Sequence, residues 1–311
     1  MQLTWSRLKP YCRWLILGGT FFFLAKALKD NWQEVAAIRI EAIGWATLAI
    51  ALGITLLAHI WSGWVWTWML DELNQPVVSS RFVQVYLKTN IAKYLPGNVW
   101  HYYGRIAAAK TAGIAASVAT LSVLLEPLLM AAAALIVVLL GIQSVAININ
   151  SRTNSQGLLI LVLAAVLLAV HPRFLNLVIR LFSRFKLKSN KSNAVDTSTF
   201  QVKRYPWRPL LGELGFIGLR GTGFLLTLLA LTSVAMSQIP LLMAAFSLAW
   251  LLGLVIPGAP GGLGVFEATA IALLQQSFSP GLTIGAIALY RLISILAEAA
   301  GAGLAWLDEQ R

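Results

Sequence analysis

Long apolar runs alternate along the chain with short polar or basic stretches, and two of the interruptions fall where an apolar run should continue. A bilayer core of about 30 Å takes about 20 apolar residues per helical span. On that measure the pattern predicts helices over about residues 13–28, 43–70, 113–141, 157–171, 209–235 and 282–307. Two further segments read as broken. One, about 80–110, is SRFVQVYLKTNIAKYLPGNVWHYYGRIAAAK, interrupted at Pro96-Gly97; the other, about 240–276, carries IPGAPGGLGVFE with Pro257, Pro260, Gly261, Gly262 and Gly264. Proline removes an amide donor and glycine adds flexibility. Such backbone is tolerated at membrane depth only when it is buried in protein or lines a wet cavity.

Composition agrees with the pattern. The 311 residues are 58% hydrophobic and only 12% charged, which predicts an all-α polytopic membrane protein with one membrane domain over residues 1–311 and no room for a soluble catalytic domain. The single Cys12 excludes an internal disulfide, and His59, His101 and His171 lack ligand-like spacing, so no metal site is expected. No cofactor is expected either: the glycine-rich stretch lacks the GxxxxGK[ST] pattern of a P-loop.

A net charge of +12 would suggest nucleic acid in a soluble chain, but in this setting the cations read first as topology signals. Nine of the 24 Lys and Arg residues fall between Arg173 and Arg208, against Asp196 alone, which assigns the loop of about 172–208 to the cytoplasm. HPRFLNLVIRLFSRF, at its start, reads as a basic amphipathic helix on an anionic membrane surface. Arg7, Lys9 and Arg13 place the N-terminus inside, and the last helix ends inside near Arg311. A signal peptide competes for the first helix, because Ala25-Lys26-Ala27 mimics a cleavage site. Trp61, Trp64, Trp66 and Trp68 read as rings at the membrane interface.

The connections SQIP and QQSFSPG carry no charge and are both assigned to the outside, so the segment between them must enter and leave on one face. IPGAPGG then becomes the tip of a re-entrant hairpin from the outer side, matched by KYLPGN from the inner side. Each half, about 1–150 and 151–311, reads as span, span, broken hairpin, span, starting on opposite faces. The expected fold is therefore about six full transmembrane helices plus two re-entrant broken hairpins in an inverted 4+4 repeat. The competing reading makes each hairpin two full spans with a loose turn. Paired discontinuous segments in two inverted halves point to a transporter with its site between them.

KYLPGNVWHYYGR at 93–105, SVLLEPLL around Glu126, PGAPGGLGVFEA at 257–268 and the Tyr290-Arg291 helix start resemble the transmembrane domain of bacterial lysylphosphatidylglycerol synthases, the multiple peptide resistance factor family, over essentially the whole chain. The resemblance implies movement of lipid between the leaflets of the cell (inner) membrane. In full-length members a separate cytosolic domain attaches the amino acid; the chain ends at Arg311, so the stand-alone form is expected. Where the family places Arg after the glutamate of its third motif, this sequence has Pro127.

Ionisable groups within spans are costly and are functional candidates by default. They are His59, Glu126, Arg220, Glu267, Arg291 and Glu298, with Lys93, His101 and Arg105 around the first break. Gly261, Gly262 and Gly264 start a half-helix whose free amides would hold a phosphate. Glu267 either caps that half-helix or meets a cationic head group or proton. Arg291 and Glu298, seven residues apart, share a stripe about 10 Å long and should each meet another helix. Pro127 should kink its helix around Glu126. His59 reads as a satisfied core histidine, and Arg220 as a phosphate or interior ion-pair group.

These features favour a flippase-like carrier of a phospholipid, aminoacyl-phospholipid or polyprenyl-linked lipid, with membrane lipids as its partners and no nucleic acid. An ion- or proton-coupled carrier of a small solute and a regulatory subunit for a separate synthase or glycosyltransferase use the same architecture, and a homo-oligomer is compatible with it. A membrane enzyme is disfavoured, since no carboxylate or histidine pair has convincing spacing for it.

Overall fold

The computed structural model describes residues 25, 26, 28–95, 99–146, 154–174, 176, 204–256, 262 and 264–310. Most of the expected first span, the breaks at Pro96, Gly97, Pro257, Pro260 and Gly261, and most of the basic loop lie outside the described residues. Among the described residues every regular element is helical. In chain order these are α1 (Trp32–Ala37), α2 (Ala42–Glu72), α3 (Ser79–Asn90), a 3-10 turn (Ile91–Tyr94), α4 (Trp100–Thr111), α5 (Ala116–Ala146), α6 (Asn154–Ala169), α7 (Trp207–Leu229), α8 (Ile239–Val255), α9 (Val265–Leu274) and α10 (Pro280–Glu309).

Four of them are long and apolar enough to cross a bilayer: α2, Ala116–Ile142 of α5, Met236–Val255 spanning α8, and α10. α7 has 23 residues and therefore reaches about 34 Å, but it carries Arg208, Glu213 and Arg220. α6 is 16 residues long and apolar from Leu158 onward. The two segments expected to be broken each divide into two helices, α3 with α4 and α8 with α9, of which α8 is itself long enough to cross a bilayer.

The helices interleave instead of forming two separate bundles. α2 packs along α7, α5 along α8, and α10 along both α2 and α3. Small residues permit the closest approaches: a side chain at Gly223 of α7 would meet Thr55 of α2 at 2.5 Å, and one at Gly141 of α5 would meet the Pro240 carbonyl of α8 at the same distance. Apolar cores form around Trp66, Met69 and Leu129 on one side and around Phe224, Phe246 and Tyr290 on the other. The interfacial reading of the tryptophans needs correcting for Trp66, which is fully buried and donates its indole N–H to Ser122 Oγ of α5 at 3.2 Å. Its position puts it one turn from Ser62 on the face that α2 turns inward, whereas Trp64 stands on the exposed face.

Candidate functional site in the helix interior

Three groups of charged side chains meet where the short helices abut the long ones. In the first, Arg105 of α4 donates to Oε2 of Glu126 on α5 at 2.5 Å. Tyr86 of α3 donates to the other oxygen at 2.7 Å, and Ser62 of α2 in turn donates to the Tyr86 hydroxyl at 2.7 Å. The Arg105 guanidinium also lies 3.6 Å from the centre of the Tyr86 ring. All four side chains are buried, and Glu126 thus has both oxygens satisfied. The helix runs on through Pro127, whose missing amide leaves the carbonyl near Val123 without its helical donor.

The second group closes the start of α9. Glu267, three residues after Gly264, accepts the Gly264 amide at 2.5 Å and takes the Arg291 Nε–H of α10 on its other oxygen. A second Arg291 nitrogen donates to the Gly262 carbonyl at 3.0 Å, and its guanidinium lies 4.8 Å from the Phe266 ring centre. Gly262 and Gly264 both have positive φ, +70° and +90°. They turn the chain sharply enough for the N3 carboxylate to reach back over its own helix start. Of the expected phosphate cradle, the Gly264 amide is held by Glu267 and Gly262 presents its carbonyl to Arg291, while Gly261 lies outside the described residues. Glu267 both caps and pairs, and Arg291 locks the arrangement to α10.

The third group lies between them. Lys93, on the 3-10 turn after α3, donates to Glu298 Oε1 of α10 at 2.6 Å. His59 Nε2 of α2 is 3.3 Å from the same oxygen and 3.2 Å from the Arg220 guanidinium of α7, and Asn90 approaches the His59 Nδ1 at 3.4 Å. His59 is thus buried, as expected of a core histidine, but amid charged groups. Arg291 and Glu298 share their helix without pairing, each meeting another element. Arg220 makes no ion pair with a carboxylate among the described residues, and its Nε has no hydrogen-bond partner.

Two adjoining cavities, of about 110 and 100 Å³, open between these groups. Lys93, His101, Tyr102, Arg220, Trp250 and Leu254 line both. The larger reaches Gly262, Arg291 and Glu298; the smaller reaches Tyr86, Arg105 and Glu126. Each volume is a few times the share of one water in the liquid, room for a polar group of a few heavy atoms. Among the described residues no cluster of His, Cys, Asp and Glu is arranged to hold a metal.

The family model of the lysylphosphatidylglycerol synthase TM region matches residues 14–301. The chain belongs to this family. No curated protein sequence matches it. The family assignment makes it a multi-pass membrane protein, and the match takes in every charged residue of the three groups.

Several members of the site are not evident from a scan for ionisable residues in spans. Tyr86 and Asn90, four residues apart, continue in helical spacing the face that carries the expected Lys93, in a segment that looks merely interrupted. Tyr290 donates to the Arg220 carbonyl at 3.2 Å, and its ring centre lies 5.3 Å from the Arg220 guanidinium. Glu213 is fully buried on α7, with neither carboxyl oxygen hydrogen-bonded. It precedes Arg220 by seven residues, the spacing that joins Arg291 to Glu298, and that repeat was the signal for it.

Proposed function

We propose that the protein is a lipid flippase-like transporter, in which a polar head group crosses the bilayer through the chamber around Arg220 while the acyl chains remain in lipid. The observation that carries this reading is the pair of cavities meeting at Arg220, each bounded by an arginine–glutamate clamp on a short helix. Isolated charges are too costly at membrane depth to persist without a task, and the family's association with aminoacyl-phospholipid translocation supplies one. Apolar side chains such as Leu124, Leu128, Leu292 and Leu296 face outward on α5 and α10, suitable for lipid tails beside a polar chamber.

The proposed architecture is the inverted 4+4 repeat with two re-entrant hairpins. Exchange of α2 with α7, α3 with α8, α4 with α9 and α5 with α10 supports it. Under that exchange the α5–α8 interface maps onto α10–α3, α5–α7 onto α10–α2, and α2–α7 onto itself. The clamps also map: Arg105 on α4 with Glu126 on α5 corresponds to Glu267 on α9 with Arg291 on α10, the charges exchanged. Rocking about the shared α2–α7 axis would expose the chamber alternately to the two sides.

The reading is tested in proteoliposomes by the accessibility of labelled phosphatidylglycerol and lysylphosphatidylglycerol in each leaflet. The expected result is protein-dependent transfer that falls when Arg105 or Arg291 is replaced by Met. Uptake of a soluble solute with no lipid transfer would overturn it in favour of a solute carrier.

A further inference from the structure

Glu213 is a buried carboxyl group that none of the clamps employs. It stands on α7 with no exposed surface, and neither of its oxygens has a hydrogen-bond partner. Leu210 and Ile217 flank it on the same helical face, and both are buried in apolar clusters. A carboxylate ion without a donor in such surroundings is very costly, so the group carries its proton instead.

The charges that act on Glu213 are those of Glu126 on α5 and Arg105 on α4, and its own influence reaches the Tyr86 hydroxyl of α3. The remaining ionisable groups on the helices against α7 are engaged elsewhere or stand at helix ends. α8 carries none. α2 offers His59, held between Arg220 and Glu298, and at its end Glu72 and Asp71, the latter paired with Arg208 at the surface. α10 offers Arg291 and Glu298, bound to Glu267 and Lys93, Tyr290 on the Arg220 carbonyl, and at its end Asp308 and Glu309, bound to Gln84 and Lys88. Arg105 has a donor to spare: one terminal nitrogen holds Glu126 at 2.5 Å, while its Nε is buried and unpartnered.

Resting on the transport reading, we propose that Glu213 and Glu126 share one proton and one arginine, and that the shift of Arg105 between them couples lipid movement to a proton gradient. In the structure Glu126 is the ion, held by Arg105 and Tyr86, and Glu213 is the acid. In the other state Arg105 pairs with Glu213, which releases its proton, while Glu126, having lost its counter-charge, takes one up from the chamber. The pair keeps the same net charge in both states, so neither leaves an uncompensated ion in the interior. On the return the proton passes from Glu126 to Glu213 as Arg105 moves back, and one proton has crossed per cycle. The two carboxyls have the different access that this needs, since Glu126 lines the smaller cavity and Glu213 lines neither. Arg105 lines the smaller cavity too, so its shift moves a wall of the chamber in which the head group travels.

The experiment uses the full protein in phosphatidylcholine liposomes that contain labelled phosphatidylglycerol and an entrapped pH dye. The lipid ratio between the leaflets is read with an imposed pH gradient of either sign and with none. A gradient of one pH unit is expected to shift that ratio by up to about tenfold, the limit for one proton per lipid, and reversing the gradient should reverse the shift. Glu213→Gln, which keeps the shape but has no acidic proton, should lose the response, and Glu213→Asp should keep part of it. Arg208→Gln, at an exposed position on the same helix, should leave it intact. A second readout needs no transport: infrared spectra of the purified protein should show the carbonyl band of a protonated carboxyl that is missing from Glu213→Gln. Absence of that band, lipid transfer indifferent to the gradient, or a retained response in folded Glu213→Gln overturns the inference and leaves the lipid reading standing. A proton flux without lipid transfer, lost in Glu213→Gln, would uphold the carboxyl pair and overturn the lipid reading instead, and movement of neither overturns both. Where Glu213→Gln fails to fold, the gradient response of the wild-type protein still decides.

Discussion

The Lys93 ammonium sits 2.6 Å from Glu298 Oε1, joining the break after α3 to the last helix across 205 residues of sequence. Glu298 is almost wholly buried, while the Lys93 side chain is 21% exposed. Removing one partner leaves the other charge poorly compensated, at a cost below the roughly 3–5 kcal/mol of a fully buried pair because Lys93 keeps some access to solvent. Lys93→Met and Glu298→Gln are each expected to lower stability by about 2 kcal/mol, and the double variant by less than their sum. Thermal unfolding of the four proteins in one detergent checks this. Strict additivity would show that the contact carries no coupling.

Arg105 and Glu126 present the stronger case, since their side chains are 2% and 3% exposed. Arg105→Met leaves Glu126 with Tyr86 as its remaining donor among these contacts, and a loss of about 3–5 kcal/mol is expected. Tyr86→Phe deletes hydrogen bonds to Ser62 and Glu126 but keeps the ring under Arg105, and should cost only about 1–2 kcal/mol. The order of the two variants in denaturation midpoint tests the assignment. A larger loss in Tyr86→Phe would place the energy in the hydroxyl rather than in the ion pair.

The helices were legible in the sequence because apolar runs and proline–glycine breaks are local signals. The run expected over 43–70 is Ala42–Glu72, and that over 282–307 is Pro280–Glu309. The charged residues were legible one by one for the same reason. Their pairing was not, because it depends on the register in which distant helices pack. Nothing near Lys93 in the sequence points to Glu298, nor near His59 to Arg220. Glu267 shows the mixed case: capping of Gly264 is written in the three-residue spacing, whereas the Arg291 contact comes from packing of α9 on α10. Glu213 escaped notice near the start of its helix, where a carboxyl group reads as exposed until the neighbouring helices are placed.

At the N-terminus of α10, a contact outside the apolar interior fixes α1. Glu34 of α1 accepts the Gly281 amide at 3.0 Å and the Ser279 hydroxyl, and so caps a helix more than two hundred residues away. Glu34→Ala removes both acceptors and a negative charge from a helix N-terminus, for an expected loss of about 1 kcal/mol. Faster amide exchange at Gly281 and Leu282, with exchange in α7 unchanged, is the expected signature. Uniformly faster exchange would mean a global rather than a capping effect.

Gly253 and Gly262 face each other where α8 meets the turn into α9, and they should respond differently to the same substitution. A side chain at Gly253 would meet Gly262 Cα at 3.4 Å, an ordinary van der Waals contact. At Gly262 it would meet the Gly253 carbonyl oxygen at 3.0 Å and Cα at 3.1 Å, on a residue whose φ is +70°. Both the backbone conformation and the crowding oppose the Cβ there, so Gly262→Ala is expected to cost about 1–3 kcal/mol. It should also displace the carbonyl that Arg291 grips, lowering transport more than stability alone explains. Gly253→Ala should lie within about 1 kcal/mol of the parent, because in a helix alanine gains about that much over glycine. Parallel unfolding and lipid-transfer measurements on the two variants separate the effects: equal damage from both would show that crowding at this crossing, and not the left-handed turn, sets the geometry of the Glu267–Arg291 clamp.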